Sequence, residues 1–255
     1  MKITLCTIII NEWYRESVKY FMKNLQTYCE KHNYTCVIHT ENSEDYLYDK
    51  TRKIPWYKIP LIKKILQTTD TDYVFWIDAD CQILKRDTKV EYFIDKYMKT
   101  KDFAAYSENP INTGLMILKN TENNLNLLDR IWNTTGFYEN YYEQGSICHI
   151  WNIDNSVKDM IEIIPFGGDF ITYWYNYIPN NSFIIHFPGC HDKSSLFYMS
   201  DSYCPIKMDE ETEEEYQIRM KWLYEDSIIE LGKLRIDPTS FPRRYSVRYR
   251  KVFNL

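Results

Sequence analysis

The chain has few of the features that would place it quickly. Its seven cysteines (Cys6, Cys29, Cys36, Cys81, Cys148, Cys190 and Cys204) form no C-x-x-C pair or other metal-ligand spacing, which excludes a zinc finger or ribbon. Their odd number and scattered, mostly apolar settings read as reduced structural thiols, with a disulfide at Cys29 or Cys190 as the open alternative. Positive charge is not in excess: 31 Lys and Arg stand against 36 Asp and Glu, a net charge of -5, so no nucleic-acid partner is expected. Long apolar runs are missing too. The first, MKITLCTIII, leads straight into a polar turn and reads as a strand, and no other run approaches the ~20 residues of a membrane span. There is no repeat, low-complexity tract or Gly/Ser linker, so one large core with a modest appendage suits 255 residues.

Aromatic residues, in contrast, make up 16% of the chain, with 23 tyrosines. Such rings suit sugar faces and interfaces, but an Asn/Ile/Lys/Tyr-rich bias also follows from an AT-rich gene and decides nothing alone. The same bias makes the glycosylation tripeptides at Asn33, Asn133 and Asn180 expected by chance.

Periodicity supplies the architecture. Residues 3–10 are β-branched and continuous, as in a strand covered on both faces. A helix follows over 12–32, with Val18, Phe21, Met22, Leu25 and Tyr28 at helical spacing. Further strands are predicted at 35–39 and 73–77, with a helix over 60–68 between them that carries Pro60 in its first turn. This βαβ order predicts an α/β domain with a mostly parallel central sheet flanked by helices, whose ligands bind beyond the carboxyl ends of the strands. Beyond it the pattern predicts helices at 89–99, 125–132 and 142–151 and strands at 103–106, 112–118, 161–165 and 183–186. The character changes near residue 200, where a long charged helix with an apolar stripe precedes a short basic tail. Residues 1–200 are therefore expected to form the main domain and 201–255 a C-terminal helical extension. The extension reads as a helix packed on that domain, with a homo-oligomer or membrane-surface contact as the alternative.

Chemistry concentrates in YVFWIDADCQIL, residues 73–84. Alternation along a strand points Asp78 and Asp80 the same way, and two carboxylates held close demand a cation or a shared proton. Carboxylates with open coordination positions fit Mg2+ or Mn2+, which usually complete their shells with water and phosphate. In IIHFPGCHDK, His186 ends another strand and opens a Pro-Gly loop through Gly189 to His191 and Lys193. Imidazole favours Mn2+ over Mg2+, and a Gly loop with a lysine suits phosphate oxygens.

The motifs WYKIPLIKKIL, YVFWIDADCQIL, NTGLMILKNTE, YYEQGSI and HFPGC, in that order, resemble glycosyltransferase family 34, a galactosyl-, xylosyl- and mannosyltransferase group with the GT-A, Rossmann-like fold. The resemblance runs over about residues 2–193. It implies Mn2+-dependent transfer of a sugar, with retention of configuration, from a nucleotide sugar to a glycan hydroxyl. A UDP-sugar is favoured and a GDP-sugar is the alternative; Mg2+ is the alternative metal. Asp78, Asp80 and His186 would be the metal ligands. Thr7, Lys58, Ala79, Asn112, Gly114, Gly189, His191 and Lys193, together with Asp78, would line the donor. Glu143 and Gln144 match the acidic-Gln pair beside the reacting carbon, with Gln144 the expected electrostatic partner of a front-face transfer. For Glu143 an exposed helix start is the alternative, and for Lys58 and Lys63 a solvated basic helix face. Trp132, Phe166, Phe170 and Trp174 are candidates for an acceptor platform.

Two departures stand out. His191 and Asp192 come before Lys193 where the family commonly has a lysine soon after the loop, which leaves the cation for the diphosphate open between His191 and Lys193. The family's Golgi enzymes carry an N-terminal anchor and stem, whereas this chain starts at its first strand. The expectation is a soluble protein without a transmembrane segment, cytoplasmic or virus-encoded, or Golgi-luminal if an anchor was removed. Two rival classes remain. A phosphatase with an Asp-x-Asp nucleophile fits poorly, because Cys81-Gln82 replaces its usual Gly-Thr. A non-catalytic carbohydrate- or nucleotide-binding protein that kept the fold is the alternative function.

Overall fold

The computed structural model describes residues 1–43, 51–108, 110–136, 141–173, 182–188, 212–214 and 216–217. Trp174, Asn180, Gly189, Cys190, His191, Lys193 and Cys204 lie outside them, as does 201–255 apart from 212–214 and 216–217.

The chain forms two compact units: Met1–Asn11, Cys29–Ala79 and Thr88–Phe166 make the first, and Glu12–Tyr28, Asp80–Asp87 and Gly167–Leu255 the second. The first unit is built on a six-stranded sheet. Its strands are β1 (Ile3–Ile9), β2 (Thr35–Thr40), β3 (Tyr73–Ile77), β5 (Phe103–Ser107), β6 (Ile111–Lys119) and β7 (Ile161–Ile164), in the order β2-β1-β3-β6-β5-β7. β1 is parallel to β2 and β3, and β5 to β7, while β6 runs antiparallel to both of its neighbours. The mostly parallel sheet read from the sequence is therefore present, with one reversed strand.

Every residue of β1 is buried, as its unbroken apolar run requires. One sheet face, carrying Cys6, Ile8, Val74, Trp76, Phe103, Ala105, Met116 and Leu118, packs into a single core with three helices. These are α3 (Lys58–Thr68), α5 (Glu122–Asn133) and α6 (Tyr142–Ile153), which bring Ile62, Ile65, Leu127, Ile131 and Ile147. α3 starts two residues before Pro60, after a 3-10 turn at Ile54–Tyr57, because the first turn of a helix tolerates proline. α5 is capped by Thr121, whose hydroxyl accepts from the Asn124 N–H. α4 (Val90–Tyr97) and the short α7 (Asn155–Met160) are further helices among the described residues of this unit, α7 capped by Asp154.

The second unit has a three-stranded sheet ordered β4-β9-β8, from β4 (Cys81–Ile83), β8 (Ile171–Tyr173) and β9 (Ile184–His186). The single helix expected over 12–32 is two, α1 (Glu12–Ser17) and α2 (Lys19–His32), interrupted at Val18. Phe21 stacks on Phe187 and Tyr28 tilts against Phe183, so α2 supplies the aromatic core of this unit. Asn24 is fully buried and closes both hydrogen bonds to the Ile83 backbone: its Nδ2 donates to the carbonyl at 3.0 Å and its Oδ1 accepts from the N–H at 2.9 Å.

Candidate functional site

Asp78 directly follows β3, at the carboxyl end of a strand parallel to β1, so strand alternation ends one residue before it. A cationic side chain, Lys58, stands beside it in this structure. Lys58 Nζ lies 3.0 Å from Asp78 Oδ1 and 2.9 Å from Glu143 Oε1, and donates to the Thr113 carbonyl at 3.3 Å. Trp76 Nε1 donates to the same Asp78 oxygen at 2.7 Å. Lys58 is only 4% exposed and Glu143 2%, so neither stands on a solvated helix face. Lys63 does: it is partly exposed and pairs with Asp129.

The ion network sets its own titration. Burial pushes the Lys58 ammonium toward neutrality, but the charges of Asp78 and Glu143 outweigh it and raise the net pKa above the usual lysine range. Burial raises the Glu143 carboxyl, against the opposing pull of Lys58 and the Thr113 hydroxyl, which donates to Oε1 at 2.8 Å. Glu143 Oε2 is buried with no hydrogen-bond partner. One oxygen thus carries the whole network and the other is left over. The residue before it, Tyr142, has φ 52°, a left-handed conformation that costs a non-glycine residue about 1–2 kcal/mol.

A register shift organises the rest. β5 pairs Ala105 with Met116 but Tyr106 with Asn112, so β5 passes over Thr113, Gly114 and Leu115. The freed main chain is used locally. Thr113 N–H donates to Gln144 Oε1 at 3.2 Å, Gly114 N–H to Asn112 Oδ1 at 2.7 Å, and Asp78 N–H to the Gly114 carbonyl at 2.8 Å. Asn112 Nδ2 donates to Glu108 Oε2. Asp78, Lys58, Asn112, Gly114, Glu143 and Gln144 are thereby brought into one network, with Trp76 and Thr113 as members that the sequence reading missed. Their signal was position: Trp76 lies two residues before Asp78, and Thr113 is the middle of Asn-Thr-Gly. Thr7 is fully buried on β1, and its hydroxyl is without a hydrogen-bond partner; Ala79 is buried. Of the platform candidates, Trp132 packs edge-on to Tyr57 and holds the Arg52 guanidinium 4.0 Å from its ring, Phe166 tilts against Tyr106, and Phe170 is core.

In the second unit, Asp80 and His186 come together. Asp80 Oδ1 is 3.2 Å from His186 Nε2, the Asp80 carbonyl accepts from Phe187 N–H at 3.0 Å, and Cys81 lies directly opposite His186 across β4 and β9. One ligand atom each from Asp80, Cys81 and His186 falls within 4.8 Å of the other two, the one such metal-capable group among the described residues. His186 is 3% exposed and the Asp80 side chain 19%, so the imidazole is buried and the carboxylate keeps partial access to solvent. The Tyr173 ring meets the imidazole edge-on with centroids 5.7 Å apart. A carboxylate and an imidazole this close form a donor set that fits Mn2+.

Residues 25–143 match a family described as a protein of unknown function, DUF273. An uncharacterized alpha-1,2-galactosyltransferase of Schizosaccharomyces pombe is 25% identical over 170 residues, which is 52% of this chain and 44% of that protein. The chain thus spans less than half the length of this relative. Among solved structures, a glycosyltransferase involved in glycosylation of the major capsid of PBCV-1 aligns with a TM-score of 0.65 at 13% identity, over 79% of this chain and 99% of that one. The bifunctional glycosyltransferase WbbM aligns at 0.51 with 11% identity, over 92% of this chain and 51% of that one. The mixed α/β, mainly parallel GT-A fold is the one this chain shares with them. No helix among the described residues is long and apolar enough to cross a membrane.

Proposed function

We propose that this chain is a retaining glycosyltransferase that moves a hexose or pentose from a nucleotide sugar, a UDP-sugar in preference to a GDP-sugar, to a hydroxyl of a glycan acceptor, with Mn2+ as its metal and Mg2+ as a weaker substitute. The observation that carries the reading is the Asp80–His186 pair, a carboxylate and a buried imidazole 3.2 Å apart. They stand at the two sequence positions where the resemblance to family 34 puts metal ligands, and that resemblance adds Asp78. A bound divalent ion would supply Lewis-acid stabilisation to the departing diphosphate.

The remaining roles fall to the chain's own groups. Glu143 is poorly suited to attack an anomeric carbon, because its Oε1 is occupied by Lys58 and Thr113 and burial favours its neutral form. Its unpartnered Oε2 is suited to a hydrogen bond with a ligand hydroxyl. Gln144 is oriented by the Thr113 N–H on its Oε1, and that amide oxygen is the neutral dipole that would face developing positive charge. These features favour front-face transfer, in which the leaving phosphate oxygen accepts the acceptor's proton.

The test is thermal stabilisation by UDP and GDP with and without Mn2+, followed by a panel of nucleotide sugars assayed for hydrolysis and transfer. Metal-dependent nucleotide stabilisation with release of one sugar is expected. Absence of any nucleotide response would remove the transferase reading, and nucleotide binding without turnover would favour a non-catalytic binding protein.

A further inference from the structure

Cys81 has no role in the proposed transfer chemistry, yet its position puts a thiol beside a carboxylate and an imidazole. β4 and β9 pair antiparallel with Cys81 opposite His186, and β8 and β9 pair parallel with Tyr173 beside His186. Directly paired residues share a sheet face, so Tyr173, His186 and Cys81 form one row, and Asp80 borders it where the chain enters β4. All three row members are at most 5% exposed. The row is thus shielded from water, while the Asp80 side chain is 19% exposed.

We propose that Asp80, Cys81 and His186 form a three-donor O, S, N site that takes a thiophilic divalent ion, Zn2+ above all, in competition with Mn2+. The inference rests on the reading of Asp80 and His186 as metal ligands and adds the sulfur to them. Two ligands about 2.0–2.1 Å from a tetrahedral zinc stand about 3.3 Å apart. The Asp80 Oδ1 to His186 Nε2 separation is 3.2 Å, and the sulfur is within 4.8 Å of both ligand atoms. Three protein donors leave the fourth position to water or a ligand oxygen, the open form of a zinc site. On binding, the Cys81 S–H bond breaks, its proton passes to solvent and the sulfur lone pair goes to the ion; nothing is oxidised or reduced. Hard Mn2+ gains little from such a sulfur, whereas Zn2+ and Co2+ gain much. The thiol therefore makes the site selective for the metal that the transfer reaction does not use, and zinc would act as a displacing inhibitor.

The probe is Co2+ added to the full chain, read by absorption, with Zn2+ and Mn2+ affinities from competition. The expected result is one equivalent of Co2+ with a thiolate-to-cobalt charge-transfer band that Zn2+ abolishes. Cys81→Ser should lose the band and lower the ratio of Zn2+ to Mn2+ affinity by more than about tenfold. Cys81→Ala guards against a folding effect of the serine, with native thermal unfolding required of at least one variant. Co2+ bound with a purely nitrogen and oxygen spectrum in the wild-type chain would overturn the sulfur ligand while leaving the Asp80–His186 reading standing. Failure of all three ions to bind would overturn both. A thiolate band with no nucleotide response would sustain the zinc site and sink the transferase.

Discussion

Replacement of Lys58 by methionine keeps the length and apolar stem of the side chain and removes its charge. Glu143 is then left buried without its cation, and Asp78 keeps only Trp76 from the partners on its Oδ1. Breaking a buried ion pair by deleting one partner typically costs about 3–5 kcal/mol. The Asp78 side chain is 29% exposed and its share is screened, so the lower figure of about 3 kcal/mol applies at neutral pH. At about 2–4 °C per kcal/mol for a chain of this size, the unfolding midpoint should drop by about 6–12 °C.

The loss should depend on pH with a definite sign. The native pKa of Glu143 is raised, so folded protein holds its proton more firmly than unfolded protein, and stability declines as pH climbs from the unfolded value near 4.5 through the native one. Without Lys58 that native pKa rises further and the decline extends to higher pH. The Lys58 contribution, in turn, is fully present below the ordinary lysine value of 10.5 and is lost only as pH rises through the elevated native one. Urea unfolding of wild type and Lys58→Met between pH 5 and 9 should show the gap widening with pH, and Glu143→Gln in the variant background should close most of it. A gap under about 1 kcal/mol at pH 7.5, or one independent of pH, would refute the ion network as a stabilising unit.

Three further outcomes are expected. Asn24→Ala strands both polar groups of Ile83 and should lower stability by about 2–4 kcal/mol in urea unfolding, with loss of the second unit's near-ultraviolet aromatic signal. Gln144→Ala should cut kcat by more than about tenfold with little change in KM for the nucleotide sugar, and wild-type turnover would count against front-face transfer. The Ser156 hydroxyl, with Arg130 beside it, holds the Asp154 carboxyl down at about 2; its stabilising effect is present above the ordinary 3.8 and lost as pH falls through about 2. Acid unfolding of Asp154→Ala should therefore lack that component, while the variant and wild type converge at the lowest pH.

Legibility in the sequence followed length and periodicity. β3 emerged at residues 73–77 as read, and β6 and α6 were located within a few residues, because each carries enough apolar positions to reveal its period. β4 and β8 have three residues apiece, too few for any period, and β4 lies inside the motif that carries Asp78 and Asp80. The reversal of β6 was invisible because a strand buried on both faces reads the same in either direction. The sequence alone does not decide for Lys58 between a nucleotide contact and a solvated face, since its burial depends on Asp78 and Glu143, 20 and 85 residues further along the chain. The Cys81–His186 opposition likewise needs the strand pairing before it exists.

The register shift between β5 and β6 bears on how this chain can change over time. The groups released there at Thr113 and Gly114 are main-chain atoms, which every residue type except proline provides equally. Single substitutions at Thr113 or Gly114, proline apart, would thus leave the Gln144 and Asp78 anchors largely in place, whereas removing one residue between Asn112 and Met116 would erase them at a stroke. Spacing, more than residue identity, is what descendants of this chain must inherit there.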